Sequence, residues 1–346
     1  MKPALLRWGV VVGAVAALAT AVAVAVAGDD VGSRAALKEA YRRPAEVPYP
    51  ESNPYSKAKA DLGRMLFFDP ILSSSQTISC ASCHNPGLSW GNGLARGIGE
   101  AHVPLPTRVP TIYNMAWSQV LGWDGKFRSL EVVAWTPISS PKLMNRNEDE
   151  LIADLRKIAG YREAFAKAFP DDPTLSRANL EAALATYERT IVSGRAPFDR
   201  WIDGDERAIS AAAKRGFDIF NGKGGCAECH SGWNFTDGAF YDIGVGHDND
   251  IGRGRIFTNS PKLMYAFKTP TLRNVAERAP YMHDGSEATL EQVIDLYDRG
   301  GIDRPSRSEL ISPLGLTVDE KADLIAFLKT LTEEERAPVE IPALPR

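Results

Sequence analysis

Cys80-Ala81-Ser82-Cys83-His84 is the stretch on which the rest of the chain depends, and its spacing returns as Cys226-Ala227-Glu228-Cys229-His230. In a CxxCH pentapeptide the two thiols can form thioether bonds to one haem, and the histidine that follows can bind the iron. The chain has four cysteines, and the two motifs use all of them. The sequence therefore predicts two covalent haem c groups, attached at Cys80 and Cys83 and at Cys226 and Cys229, with His84 and His230 as iron ligands.

Two other uses of paired cysteines compete with this interpretation. Four thiolates can hold one structural zinc ion, and a single CxxC pair can be a thioredoxin-like redox motif. Neither use requires a histidine directly after the second cysteine, and here that histidine occurs twice. The doubled CxxCH therefore favours two haems.

The N-terminal 28 residues have the composition of an export signal. Lys2 and Arg7 precede an uncharged run that ends near the small residues Ala25-Val26-Ala27. This pattern predicts a signal peptide over residues 1–28 and a periplasmic protein, although an uncleaved run of this length can also anchor a chain in a membrane. The 346 residues carry a formal net charge of −4 without a basic block, so nucleic acid is not an expected partner.

The remaining chain divides by composition. Residues 29–60 are rich in proline and charge, which predicts an extended arm without a core of its own. Apolar side chains then recur with helical period, which predicts a mainly helical fold. The Gly-Arg-Ala-Pro sequence at 194–197 interrupts this pattern and predicts a boundary between domains at 61–195 and 196–346.

The two predicted domains share an internal repeat. Residues 110–116, Pro-Thr-Ile-Tyr-Asn-Met-Ala, match residues 270–276, Pro-Thr-Leu-Arg-Asn-Val-Ala, at an offset of 160 residues (270 minus 110). The two CxxCH motifs are only 146 residues apart (230 minus 84). The second half therefore has a longer stretch of chain between its CxxCH motif and its copy of this segment. The repeat predicts two related haem domains.

The repeat also allows the candidate for the second iron ligand to be compared between the two halves. Tyr297 lies on the apolar stripe of a predicted helix, and the residue 160 positions earlier is Pro137, which cannot bind iron. If this helix covers both haems, the Tyr297 phenolate closes the second haem and the first stays open to peroxide. The alternative is that Tyr297 is a core residue and that His283 or another side chain binds the iron.

The sequence resembles the bacterial dihaem cytochrome c peroxidase and MauG superfamily from about residue 60 onward. The motifs that carry the resemblance are Gly63-Arg64-Met65-Leu66-Phe67-Phe68-Asp69-Pro70, Ser79 to His84, Pro110-Thr111, Trp123-Asp124-Gly125, Pro197-Phe198-Asp199-Arg200, Cys226 to His230, Asn234-Phe235-Thr236-Asp237 and Tyr281-Met282-His283-Asp284-Gly285. The resemblance implies two cytochrome c-like helical domains that face each other. It also implies that Trp123 lies between the haems as an electron relay.

Departures from the peroxidase pattern bear on function. Typical members have a methionine as second ligand of the electron-accepting haem, whereas this chain has Tyr297, as MauG does. The histidine that covers the peroxide-reactive haem corresponds to Glu100, which implies an open haem without reductive activation. The distal glutamine and glutamate correspond to Val133 and Leu143, so acid–base work falls to another group, with Glu100 and His102 as candidates.

The resemblance also bears on calcium. In the family, an asparagine side chain helps to hold a calcium ion between the domains. The corresponding residue here is Arg108, so calcium cannot simply be carried over.

An anionic phenolate ligand lowers a haem potential and favours the storage of oxidising equivalents. The resemblance therefore implies a periplasmic MauG-like enzyme that uses hydrogen peroxide to reach a high-valent dihaem state and oxidises a tryptophan or tyrosine of a partner protein. The subgroup most resembled is the MbnH-type enzymes. One alternative is a peroxidase that takes electrons from a small cytochrome or cupredoxin. Another is a dihaem electron carrier without catalysis.

Overall fold

The computed structural model describes residues 34–336 and 338–345, and these are mainly helical, as predicted. The helices are α1 (Lys57–Phe68), α2 (Cys80–Cys83), α3 (Leu130–Ser139), α4 (Glu148–Lys157), α5 (Ala159–Ala168), α6 (Arg177–Arg189), α7 (Pro197–Ile202), α8 (Ala211–Asn221), α9 (Leu290–Arg299) and α10 (Val318–Lys329). Two short antiparallel strands, β1 (Phe240–Tyr241) and β2 (Phe267–Lys268), pair Phe240 with Lys268.

The predicted signal peptide at 1–28 lies outside the described residues. Within the described part of the chain, no helix is both long enough and apolar enough to span a bilayer.

Local sequence signals begin several of these helices. The Asn147 side chain accepts a hydrogen bond from the backbone of Glu150 and caps α4. Thr289 and Thr317 form reciprocal capping boxes at the start of α9 and α10. Such caps satisfy amide groups that have no partner within the helix, so they determine where a helix starts.

The same helix crossing is built twice, once in each half. A Cβ atom added to Gly63 on α1 would lie 2.0 Å from the carbonyl oxygen of Ala183 on α6. A Cβ atom added to Gly216 on α8 would lie 2.0 Å from the carbonyl oxygen of Asp323 on α10. Only glycine permits backbones to approach so closely, so these two residues set both crossings.

The repeat read from the sequence is also present in the backbone. Asn114 and Asn274 both adopt the left-handed conformation, with φ of 61° and 56°. Each begins a 3-10 turn, and the later helices α3 and α9 start 160 residues apart and are equally long (290 minus 130). The prediction of two related helical domains is therefore confirmed.

Each domain has its own apolar core, and the chain ends cross between them. The first core includes Leu62, Phe67 and Phe165, and Val339 of the C-terminal tail packs against it. The second core includes Phe198, Phe217 and Phe327. We keep residues 195 and 196 as the proposed boundary, because Phe198, just after it, already belongs to the second core.

The expectation of an extended arm at 29–60 needs correction. Residues 34–40 are helical, and α1 begins at Lys57. Tyr41 is only 2% exposed and packs edge-on against Phe198 and Phe217 of the second core. Composition indicated an arm because this stretch cannot form a core alone, but it completes one that the second domain supplies.

Candidate functional site

The two CxxCH histidines are held in the same way. Nδ1 of His84 lies 3.1 Å from the carbonyl oxygen of Trp90, and Nδ1 of His230 lies 2.9 Å from that of Phe235. A carbonyl oxygen only accepts, so Nδ1 is the donor and Nε2 keeps its lone pair. Desolvation lowers the pKa of both rings, which favours the neutral form that binds metal. Both histidines are thus prepared to bind an iron through Nε2.

The four thiols of the motifs are free. Burial raises the pKa of Cys80, and burial raises that of Cys226 to about 12, so both are protonated before haem attachment. Among the described residues, the one group of metal-binding side chains with ligand atoms within 4.8 Å of one another contains Asp250, His283 and Asp284, and no cysteine. The two motifs are therefore not assembled for a shared zinc ion.

Tyr297 lies on α9 close to the second motif. Burial raises the pKa of its phenol, and the neighbouring thiols of Cys226 and Cys229 raise it further. The hydroxyl has no hydrogen-bond partner within the described part of the chain. A half-buried phenol without a hydrogen-bond partner, beside the two attachment thiols, fits a haem whose iron stabilises the phenolate. The structure puts Pro137 at the eighth position of α3, which is also the position of Tyr297 in α9.

These residues fit a haem in each domain. When bound, the two haems would supply redox chemistry. The chain would supply two thiols and a histidine Nε2 to each haem, and the Tyr297 phenol is a candidate further ligand for the second haem alone.

Trp123 lies in the contact between the two domains. Its indole Nε1 donates to the carbonyl oxygen of Arg108 at 2.9 Å. Its own carbonyl oxygen accepts from the amide of Lys268, in β2 of the second domain, at 2.8 Å. Both the ring and the backbone of Trp123 are thus held, which suits a fixed electron relay between the haems.

The structure separates the two acid–base candidates. The amide of Glu100 donates to the carbonyl oxygen of Leu143 at 2.6 Å, so Glu100 lies beside the residue that replaces the family's distal glutamate. Its carboxylate accepts hydrogen bonds from Ser74 and Ser75. His102 is exposed, and its imidazole makes no hydrogen bond within the described residues. Nothing in the described part of the structure brings His102 to a haem site, and Val133 lies on α3.

Arg108 stands where the resemblance gives a calcium ligand. Its guanidinium donates to the carbonyl oxygen of Arg278 in the other domain. Burial lowers the pKa of both Arg108 and Arg278, the latter to about 9. A cation supplied by the chain therefore already bridges the domains at this point.

Two notable features were not identified from the sequence, namely the contact of His283 with Asp250 and the buried Glu188. His283 is only 4% exposed, and its Nε2 lies 2.7 Å from a carboxylate oxygen of Asp250. This bond occupies Nε2 and leaves Nδ1 as the ring nitrogen that could bind iron in the alternative assignment. Glu188 is buried on α6 near Cys80, without a hydrogen-bond partner for its carboxyl group among the described residues. The only sequence signal for Asp250 was that it lies in the stretch between His230 and Pro270, which is 14 residues longer than its counterpart in the first half (160 minus 146). No sequence signal marked Glu188.

Comparisons with known proteins agree with this geometry. Residues 57–207 match the di-haem cytochrome c peroxidase family, and residues 213–332 match the cytochrome c family. Methylamine utilization protein MauG of Methylorubrum extorquens is 48% identical over 99% of this chain and 98% of its own length. Cytochrome c551 peroxidase of Pseudomonas aeruginosa is 31% identical over 87% of this chain and 86% of its own.

A solved structure supports the same assignment. The crystal structure of a MauG-like protein associated with microbial copper homeostasis is 34% identical, with a TM-score of 0.78 over 84% of this chain and 95% of that one. The similarities extend across both CxxCH motifs and both domains. The chain is therefore a dihaem oxidoreductase that belongs to the cytochrome c peroxidase and MauG family.

Proposed function

We propose that this protein is a periplasmic MauG-like enzyme that uses hydrogen peroxide to oxidise an aromatic residue of a partner protein. The observation that carries the proposal is the difference between two equivalent helices. Tyr297 on α9 offers a phenol to the second haem, whereas Pro137 at the same position of α3 offers no ligand to the first. With this arrangement the first haem would be available to peroxide, and the Tyr297 phenol would favour storage of oxidising equivalents at the second.

Each proposed site residue has one task in this scheme. His84 and His230 hold the irons through Nε2. Trp123 carries electrons between the haems. Glu100 is our candidate for moving protons during peroxide cleavage, since its amide is tied to Leu143 and its carboxylate is fixed by Ser74 and Ser75.

The partner follows from similarity. The relative named for methylamine utilization is 48% identical, and the copper-associated protein is 34% identical. We therefore favour a partner in amine oxidation over a copper-linked partner. Export through the N-terminal segment would bring the enzyme to such a partner in the periplasm.

The second candidate is a peroxidase that takes electrons from a small cytochrome or cupredoxin, which the peroxidase relatives support. Reactions with peroxide in the absence and in the presence of an electron donor distinguish the candidates. Peroxide is added to the oxidised protein without a donor, and the oxidising equivalents retained are titrated. Reduced cytochrome c is then tested as a steady-state donor, with Tyr297→Met as the matched variant.

We expect the natural protein to retain two oxidising equivalents and to turn over slowly with cytochrome c. Tyr297→Met should retain fewer and turn over faster, because a thioether ligand raises the potential of the second haem. Fast cytochrome c turnover by the natural protein, unchanged in Tyr297→Met, would replace our proposal with the peroxidase.

A further inference from the structure

The segment between His230 and Pro270, which is longer than its counterpart in the first half, folds over the loop that carries Trp123. Nη1 of Arg253 donates to the carbonyl oxygens of Asp124 and Gly125 at 2.7 and 3.3 Å. The Arg253 guanidinium also lies 3.8 Å above the ring of Phe240. Gly125 has a φ of +70°, and a Cβ atom there would overlap Phe240 and Arg253. This segment of the second domain therefore holds in place the loop of the first domain that carries Trp123.

His283 is enclosed beside the relay by the same segment. Its ring stacks on Phe267 with centroids 3.4 Å apart, and its Nε2 donates to Asp250 at 2.7 Å. The ring centroid of Trp123 is 6.4 Å away, in an edge-on arrangement. The amide of Arg108 donates to the carbonyl oxygen of His283 at 2.8 Å, and the carbonyl oxygen of Arg108 accepts from the Trp123 indole. One residue thus connects Trp123 and His283 by hydrogen bonds.

Asp250 is an anion whose neighbours are several cations and one further carboxylate, that of Asp284. Burial opposes its ionisation, but the hydrogen bond from His283 and the charges of His283, Arg255 and Arg96 outweigh burial, so the pKa of Asp250 lies below its usual value. The Asp250 carboxylate thus already has a hydrogen-bond donor in His283 and cationic neighbours that offset its charge. We therefore do not assign a metal ion to Asp250, His283 and Asp284, although their ligand atoms lie within 4.8 Å of one another.

We propose that Asp250, held by His283, is a positioning residue that offsets the positive charge around Trp123, so that the indole can carry a hole. Arg253 donates to the carbonyl oxygens of Asp124 and Gly125 beside Trp123, and the charges of Arg255 and Arg96 act on Asp250 itself. A hole on Trp123 adds one further positive charge. Without the carboxylate, repulsion among these charges raises the cost of oxidising Trp123.

The electron count of this step is simple. Reduction of hydrogen peroxide to two waters consumes two electrons and two protons. The first haem would supply one of these electrons, the second haem would supply the other through Trp123, and the two protons would come from solvent. Trp123 gives one electron toward the first haem and regains one from the second, so it is unchanged at the end. The indole keeps its proton, because Nε1 donates to a backbone carbonyl oxygen, which is a poor base. The relay therefore moves electrons only.

This inference rests on the proposed function, since it requires Trp123 to connect the two haems. The test is stopped-flow absorption of the haem-loaded protein after one equivalent of peroxide, without a partner protein. It records the spectral responses of the first and second haems separately. The variants are Asp250→Asn, which keeps the shape but removes the charge, and Asp250→Glu, which restores the charge. Asp248→Asn is the matched control, because that side chain is exposed on the same loop.

We expect Asp250→Asn to slow the second-haem response on the order of tenfold relative to the first. Asp250→Glu should recover much of the rate, and Asp248→Asn should match the natural protein. A purely packing role predicts the opposite order, with Asp250→Asn unaffected and the longer glutamate damaging. Equal rates in Asp250→Asn and the natural protein would overturn the inference.

Trp123→Phe, measured in parallel, distinguishes failure of this inference from failure of the proposed function. If Trp123→Phe leaves the second-haem response intact, the relay itself is wrong. If Trp123→Phe abolishes the response while Asp250→Asn does not slow it, only the inference about Asp250 is wrong. Added calcium or zinc should not alter the response, and a metal-dependent change reversed by a chelator would instead support an ion site.

Discussion

The amide of Lys268 in the second domain donates a hydrogen bond of 2.8 Å to the carbonyl oxygen of Trp123 in the first. The bond joins the domains through backbone atoms at the proposed relay. It is therefore independent of the side chain at position 123, so the indole can be replaced without removing this contact.

Trp123→Phe should keep both haems and react with peroxide at the first. It loses the bond from Nε1 to the Arg108 carbonyl oxygen and replaces the indole with a ring that is harder to oxidise. The second-haem spectrum should then fail to respond to peroxide. Trp117→Phe, which changes an indole that packs against Trp233 instead, should respond normally. Equal responses in the two variants would contradict the relay role.

Tyr297→Phe should change the second haem alone. Removal of the phenol oxygen opens a coordination position, so the spectrum of that haem should shift toward high spin and its potential should rise. Spectroelectrochemistry measures both properties. Tyr281→Phe is a useful control, since its hydroxyl bonds to the carbonyl oxygen of Val275 at 3.1 Å. An unchanged second-haem spectrum in Tyr297→Phe would show that Tyr297 is a packing residue.

Gly63→Ala should destabilise the first domain. The new Cβ atom would lie 2.0 Å from the carbonyl oxygen of Ala183, and backbone atoms cannot move aside cheaply. We expect a loss of about 3 kcal/mol in the free energy of unfolding. Gly91→Ala is the control, because its nearest neighbour would be an ordinary 3.6 Å away. Denaturant unfolding that shows equal stability for both variants would contradict the close crossing.

Glu188→Gln should stabilise the protein more at high pH than at low pH. Burial raises the pKa of Glu188 to about 8, with Arg189 opposing and Glu131 adding to the effect, whereas the unfolded value is 4.5. Between these values the folded state holds one more proton than the unfolded state, so its stability falls as pH rises. The penalty is absent below the lower value and complete above the higher one.

The measurement is the melting temperature of Glu188→Gln at about pH 5 and pH 8.5, on either side of most of this window. Glu163→Gln, an exposed change of the same kind, supplies the reference. The advantage of Glu188→Gln over Glu163→Gln should grow with pH. A difference that is constant with pH would show that Glu188 is ionised in the folded protein.

Calcium removal should have no effect on the natural protein. The Arg108 guanidinium already binds the Arg278 carbonyl oxygen across the domains. Chelation should therefore leave melting temperature and haem spectra unchanged. Arg108→Asn should bring a dependence on added calcium, because carbonyl and amide oxygens are the ligands that this ion prefers. Loss of haem spectra on chelation of the natural protein would contradict this prediction.

The sequence alone determined the features that depend on a few neighbouring residues. Each CxxCH motif places two thiols and a histidine on one turn, so haem attachment follows from local spacing. Thr289 and Thr317 begin their helices through bonds that span three residues. The offset of 160 residues revealed a repeat, since homologous positions keep their order along the chain, and this repeat set Tyr297 against Pro137.

Only the tertiary structure decided which distant groups meet. Asp250 and His283 are 33 residues apart, and Arg108 and Arg278 are 170 apart, so their contacts depend on how the two domains pack. The same packing buries Tyr41 in the second core and leaves Glu188 without a hydrogen-bonding partner in the described chain. A sequence pattern records periodicity and spacing, but not the long-range burial that sets the charge of a side chain. The charge around the relay could therefore be determined only from the folded protein.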